Sequence, residues 1–157
     1  MATKPFFVPK KEINFIDSLN EELIDQVVGQ AVDIYKVSLE DSNTNMYGEA
    51  IDGGAKVFEK GFQVNCLILF NEPEVVEDEL GPDVKGTIDL NFHRNSLSGS
   101  GFYPEVGDIV DWNEQYWEID GVTEPQLIAG HQDFNHGIKA TAHISRLSQV
   151  NLSERIR

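Results

Sequence analysis

Between Phe58 and Phe70 the chain reads as strand, and its last five residues, Cys66-Leu67-Ile68-Leu69-Phe70, are apolar without a break. A half-buried strand alternates, so an unbroken run predicts burial on both faces and puts this segment at the centre of the core. Its neighbours in sequence are also strand-like. Thr87-Ile88-Asp89-Leu90-Asn91-Phe92-His93 alternates strictly, with Ile88, Leu90 and Phe92 on one face. Ile109 to Trp112 and Tyr116 to Val122, separated by Asn113-Glu114-Gln115, predict a tight hairpin with aromatics for cross-strand pairing. Ile138 to Leu147 gives a last strand. Ala31 to Leu39 has the β-branched content of a strand, with a continuing helix as its competitor. Strands do not alternate regularly with helices. The expected fold is therefore mainly β with one or two helices (α+β): a small antiparallel, strongly bent sheet or barrel-like core with an N-terminal helix and extended arms.

The helix is expected over about 18–29. Ser18 and Glu21 have capping-box spacing, Ile16, Leu19, Leu23 and Val27 share one stripe, and Gly29 stands at the end. Residues 1–15, with Pro5, Pro9 and three lysines around Phe6-Phe7-Val8, read as an extended arm. The turn-rich Asn95 to Gly101 reads as a connection, and Asn71 to Asp83 as a solvated acidic loop kept extended by its own charge. One domain over 1–157 is expected: an arm (1–15), a β-rich core (16–150) and a tail (151–157).

Charge limits the partners. The 157 residues hold 12 Lys and Arg against 27 Asp and Glu, a formal net charge of −15. Gripping nucleic acid or an anionic membrane takes clustered cations, which such a chain does not offer. No run of 18 apolar residues and no signal-peptide pattern occurs, so assembly in the cytoplasm is expected. The single cysteine, Cys66, sits among apolar residues without a cationic neighbour to activate it, and reads as a buried small hydrophobe.

Three groupings suggest chemistry, and each has a plainer explanation. His131 and His136, with Asp133 between them, could ligate a divalent metal, but neither the spacing nor a partner cysteine matches a closed zinc site. Asp41-Ser42-Asn43-Thr44-Asn45 begins like a calcium loop, yet Met46 stands where the sharp turn needs Gly and Asp52 where a bidentate Glu is required. Trp112, Tyr116 and Trp117 could stack on sugars or bases, but a small β-domain needs such rings in its core. No phosphate loop, nucleophile elbow or defined acid/base pair is present. The chain is expected not to be an enzyme and to need no cofactor. The alternative is a small carbohydrate- or metal-binding module using Trp112, Trp117 and the His131/His136 loop.

Several segments together resemble the neck, or head-closure, proteins of contractile-tailed bacteriophages. They are Val27 to Lys36 with Asn45-Met46-Tyr47-Gly48-Glu49-Ala50, Gln63 to Ile68, Tyr103-Pro104-Glu105-Val106-Gly107-Asp108-Ile109-Val110-Asp111-Trp112, Tyr116 to Asp120 with Glu124-Pro125-Gln126, and Asn151 to Arg157. The resemblance implies a virion protein whose copies form a ring, six-fold in the family. That ring closes the DNA-filled head beneath a portal or adaptor ring and docks the tail terminator below, while DNA passes through without sequence-specific binding. An acidic channel would let DNA slide where a basic one would hold it. Glu72, Glu74, Glu77, Asp78 and Glu79 are then candidates for a loop facing the channel or a partner. Phe6, Phe7, Arg155 and Arg157 are candidates for contacts with the next subunit or the tail.

Overall fold

The computed structural model describes residues 10–38, 56–59, 61–78, 81–124, 134–145 and 150–152, with the backbone alone for 56, 76–78, 81–84 and 150–152. Helix α1 (Lys10–Glu22) continues as a π-helical segment (Leu23–Val28) and stops at Gly29. There the left-handed φ of 56° lets the Gly29 N–H reach back to the Ile24 carbonyl at 3.1 Å. The helix therefore begins eight residues before Ser18. That residue is no cap: its hydroxyl donates to the Phe15 carbonyl one turn back. The second part of the expected arm, from Lys10, is helical.

The strands are β1 (Ala31–Tyr35), β2 (Lys56–Phe58), β3 (Phe62–Asn65), β4 (Leu67–Phe70), β5 (Glu74–Asp78), β6 (Gly81–Lys85), β7 (Thr87–His93), β8 (Ile109–Trp112), β9 (Gln115–Thr123), β10 (Gly137–Ile144) and β11 (Val150–Leu152). A short helix α2 (Arg94–Ser100) follows β7, where the sequence suggested only turns. Seven strands form one antiparallel sheet in the order β3-β1-β8-β9-β10-β7-β4. Its two edge strands are consecutive pieces of chain separated by Cys66 alone. Phe62 to Phe70 is thus one bent segment whose first half pairs with β1 and whose second half pairs with β7. The sheet closes on itself through that segment, and few free edges remain.

The register sets what fills the barrel. Ile34 lies opposite Val110, Val110 opposite Trp117, Ala142 opposite both Ile88 and Ile119, and Leu90 opposite Ile68. These side chains, with Val32, Val64, Cys66 and Ala140, form the main core. Ala140 and Ala142 are small beside the fully buried Trp117, which is how a narrow barrel accommodates an indole. Leu97 of α2 and Phe102 join the same cluster beside Phe92 and Ile138, at the end of the barrel where β7 finishes. At the other end Phe70 leans on Trp112 and Trp117, with ring centroids 5.8 and 6.2 Å away. A second cluster of Tyr35, Phe58, Ile109 and Tyr116 lies on the outer face under β2, which pairs in parallel with β11. Residues 151–152 of the expected tail are therefore strand.

Two expectations need correction. The run Cys66 to Phe70 is not buried on both faces: Leu69 is about half exposed because the outer face of β4 lacks a covering sheet, and Phe70 because it sits at the end of the barrel against Trp112 and Trp117. The acidic stretch is not an extended loop either. Glu74–Asp78 and Gly81–Lys85 form a hairpin in which Val75 faces Val84 and Glu74 faces Lys85, so cross-strand pairing offsets the repulsion. This hairpin pairs with no barrel strand among the described residues.

Candidate functional site

The tight motif Pro104 to Trp112 turns out to be a structural corner. Gly107, at φ 94°, donates to the Ile119 carbonyl at 2.8 Å, and the Ile119 N–H returns to the Asp108 carbonyl at 2.9 Å. The buried Asp108 carboxylate accepts from the Glu105 N–H at 2.8 Å and the Val37 N–H at 3.4 Å. Burial pushes its pKa up, against these bonds and the nearby Lys36. Gly107 and Asp108 fix the entry to β8 and are committed to the fold, while Val106 (66% exposed) stays at the surface.

The aromatic and histidine candidates are also absorbed by the fold. Trp117 is fully buried and its indole N–H donates to the Trp112 carbonyl at 3.3 Å, so it has no face for a ligand. Trp112 is partly exposed and packs against the core. His131 and the Asp41–Asn45 segment lie outside the described residues. Burial lowers the His136 pKa, ahead of the charge of Asp17, which raises it. Among the described residues no three His, Cys, Asp or Glu side chains converge as a metal ion requires. Cys66 is buried and its thiol is pushed up to about 12 by burial, which suits the structural role expected from its neighbours.

A polar seam ties α1 to the barrel. His93 Nε2 meets Asp17 Oδ1 at 3.1 Å, Asn95 donates to the other Asp17 oxygen at 3.2 Å, and Ser96 donates to Asp25 at 2.6 Å. Beside it, Glu124 accepts from Arg94, from the Tyr103 hydroxyl at 2.9 Å and from Asn135 at 2.7 Å, joining three connections. Between the helix and the barrel runs a groove of about 280 Å³ lined by Leu23, Ile24, Leu67 and Leu69 with Asn91 and Lys139.

What remains open is apolar and exposed. Only Ile13 of α1 is fully buried, whereas Phe15 (65% exposed), Leu19 (53%), Leu23 (45%) and Val27 (70%) form an exposed ridge at four-residue spacing, with Ile16 and Val28 beside it and Leu23 also lining the groove against the barrel. Exposed lysines, Lys10 and Lys11, stand at its start. At the far end of the barrel the exposed Glu72, Glu74 and Val75 adjoin the half-exposed Phe70. Glu77 and Asp78 belong to β5. Phe6, Phe7, Glu79, Arg155 and Arg157 lie outside the described residues. The sequence stripe Ile16-Leu19-Leu23-Val27 carried the only signal for the ridge, and a stripe looks the same whether its own core or another chain covers it.

No family model and no curated protein matches the chain. Among solved structures it is similar to a chain in the virion of a native gene transfer agent (GTA) particle, with a TM-score of 0.46 and 11% identity over 73% of this chain and 91% of that chain. No helix among the described residues is long and apolar enough to cross a membrane.

Proposed function

We propose that the chain is a structural protein of a phage-like virion, working by assembly rather than by catalysis. The observation that carries this reading is a filled barrel bearing a helix whose apolar ridge faces solvent. The packed core leaves no room for a ligand inside the barrel, and monomeric proteins rarely expose contiguous apolar patches of this kind. The finer role rests on the phage-neck resemblance of the segments around Pro104–Trp112 and Val27–Lys36. In it the copies form a ring in the neck, six-fold by that resemblance, which closes the DNA-filled head under a portal or adaptor ring and receives the tail terminator. The barrel is solid, so any DNA channel lies between subunits and not through one of them. A net charge of −15 suits a channel that lets DNA slide.

Deleting the gene from its phage and counting particles by negative-stain electron microscopy tests the role. Packed or leaking heads beside separate finished tails are expected. Normal joined virions at wild-type yield would overturn it.

A further inference from the structure

The two exposed surfaces sit at opposite ends of β7. Helix α1 is tied to the barrel at His93, Asn95 and Ser96, where β7 finishes. The β5–β6 hairpin leaves the barrel where β7 begins, held there by the Asn71 N–H to the Thr87 carbonyl at 3.2 Å and by the Asn71 side chain to the Thr87 hydroxyl. Seven residues of strand separate them by about 20 Å.

They are also complementary. One surface is the ridge Phe15-Leu19-Leu23-Val27 headed by Lys10 and Lys11; the other is Phe70 and Val75 flanked by Glu72 and Glu74. The ridge exposes on the order of 500 Å² of apolar side chain, a large part of the roughly 800 Å² that each partner buries in a stable interface. Lys10 and Lys11 stand at the positive end of the helix dipole, where cations weaken a helix and Glu12 alone offsets the two of them, and the last turn has no basic residue. This placement makes sense where another chain supplies anions. The hairpin is a two-stranded ribbon, a structure of marginal stability on its own.

From this we infer that the α1 ridge of one copy seats on the Phe70–Val75 surface of the next, with Lys10 and Lys11 against Glu72 and Glu74. Contact between two different patches of a subunit is head-to-tail, the geometry that gives a ring where the rotation between copies closes. In a chain this acidic, copies meet with least repulsion where the scarce lysines of one face the acids of the other. The inference rests on the ring reading and names its two faces.

Reciprocal charge reversal tests it by sedimentation velocity on the full chain. Lys10→Glu/Lys11→Glu and Glu72→Lys/Glu74→Lys alter only exposed side chains; because Glu74 lies opposite Lys85, the second variant also carries Lys85→Glu, which keeps the cross-strand charge pair, and circular dichroism with a melting curve verifies that each variant keeps its fold. Each alone should weaken self-association at least tenfold and sediment as monomer where the wild type assembles. A one-to-one mixture should regain the wild-type coefficient, because the reversed ridge of the first variant matches the reversed hairpin of the second, and the unaltered ridge of the second matches the unaltered hairpin of the first. A Glu72→Lys/Glu74→Lys/Lys85→Glu variant that assembles like wild type, or a mixture that stays monomeric, overturns the interface while leaving the ring standing. A wild-type chain that is monomeric at every concentration overturns self-association, and the ring and its interface fall together.

Discussion

The Nε2 atom of His93, at the end of β7, lies 3.1 Å from Oδ1 of Asp17, across 76 residues of sequence, and this contact anchors helix α1 to the barrel. The His93 side chain is buried, and its Nδ1 has no partner among the described residues. Asp17→Ala would leave both ring nitrogens unpaired in the interior, which costs about 1–3 kcal/mol. Replacing His93 by Leu removes the polar group along with its need. In a His93→Leu background, Asp17→Ala should therefore cost under about 0.5 kcal/mol. Urea unfolding of the four proteins gives the coupling directly, and equal losses in both backgrounds would show that Asp17 holds the helix by other means.

The β8–β9 turn carries strain that can be relieved. Asn113 and Glu114 have φ of 55° and 62°, both left-handed, as a two-residue turn between Trp112 and Gln115 requires. Asn tolerates this region and Glu does not. Glu114→Gly should raise the stability by about 0.5–1 kcal/mol, the gain from lost strain being partly offset by the freer unfolded chain. The change should appear as a higher urea midpoint with an unchanged slope. Asn113→Gly should give a smaller gain.

Strand positions were legible where a single periodicity was locally unopposed. Thr87–His93 alternates and is β7 to the residue, and the Asn113-Glu114 turn lies where two aromatic-rich segments meet. Gly29 marked the helix end for the same reason, since few residues accept its φ. The features the sequence conceals are relationships between distant segments. Nothing local tells that Phe62 to Phe70 bends at Cys66 and serves as both edges of one closed sheet, and an apolar run that reads as the centre of the core ends half exposed. The acidic residues 74–78 read as a loop because their charge is offset only by the partner strand, which sets Lys85 opposite Glu74. The helix stripe was visible, but whether it meets its own barrel depends on the His93–Asp17 anchor, which turns Ile13 inward and leaves Leu19 outside.

Burial of the Cys66 thiol has a chemical consequence. With its pKa pushed up to about 12, almost none of it is thiolate at pH 8, and the sulfur lies inside the closed sheet. Reaction with a disulfide reagent such as dithionitrobenzoate should be slower than in urea by two or more orders of magnitude, because it waits for the barrel to open. Comparable rates in the two conditions would show that the Cys66 bend opens readily. Cys66→Ser should cost about 1–3 kcal/mol by burying a hydroxyl where no acceptor was needed.

Asp108 makes the corner before β8 sensitive to pH. Burial holds its folded pKa above the ordinary 3.8, outweighing the Glu105 and Val37 amides and the charge of Lys36. Between the unfolded and folded values the native state then binds more protons than the unfolded one. Stability from this group is complete below about 3.8 and is lost as pH rises through the folded value, beyond which its contribution is constant. Asn at this position keeps an oxygen for the Glu105 N–H and never ionises. Because all other carboxylates are common to both proteins, the stability of Asp108→Asn relative to wild type should increase as pH rises from 3 to 7. Urea unfolding at several pH values measures that difference. A wild type that gains on the Asn variant over the same range would mean that the amides and Lys36 prevail over burial, and that the corner is held by a charge instead of in spite of one.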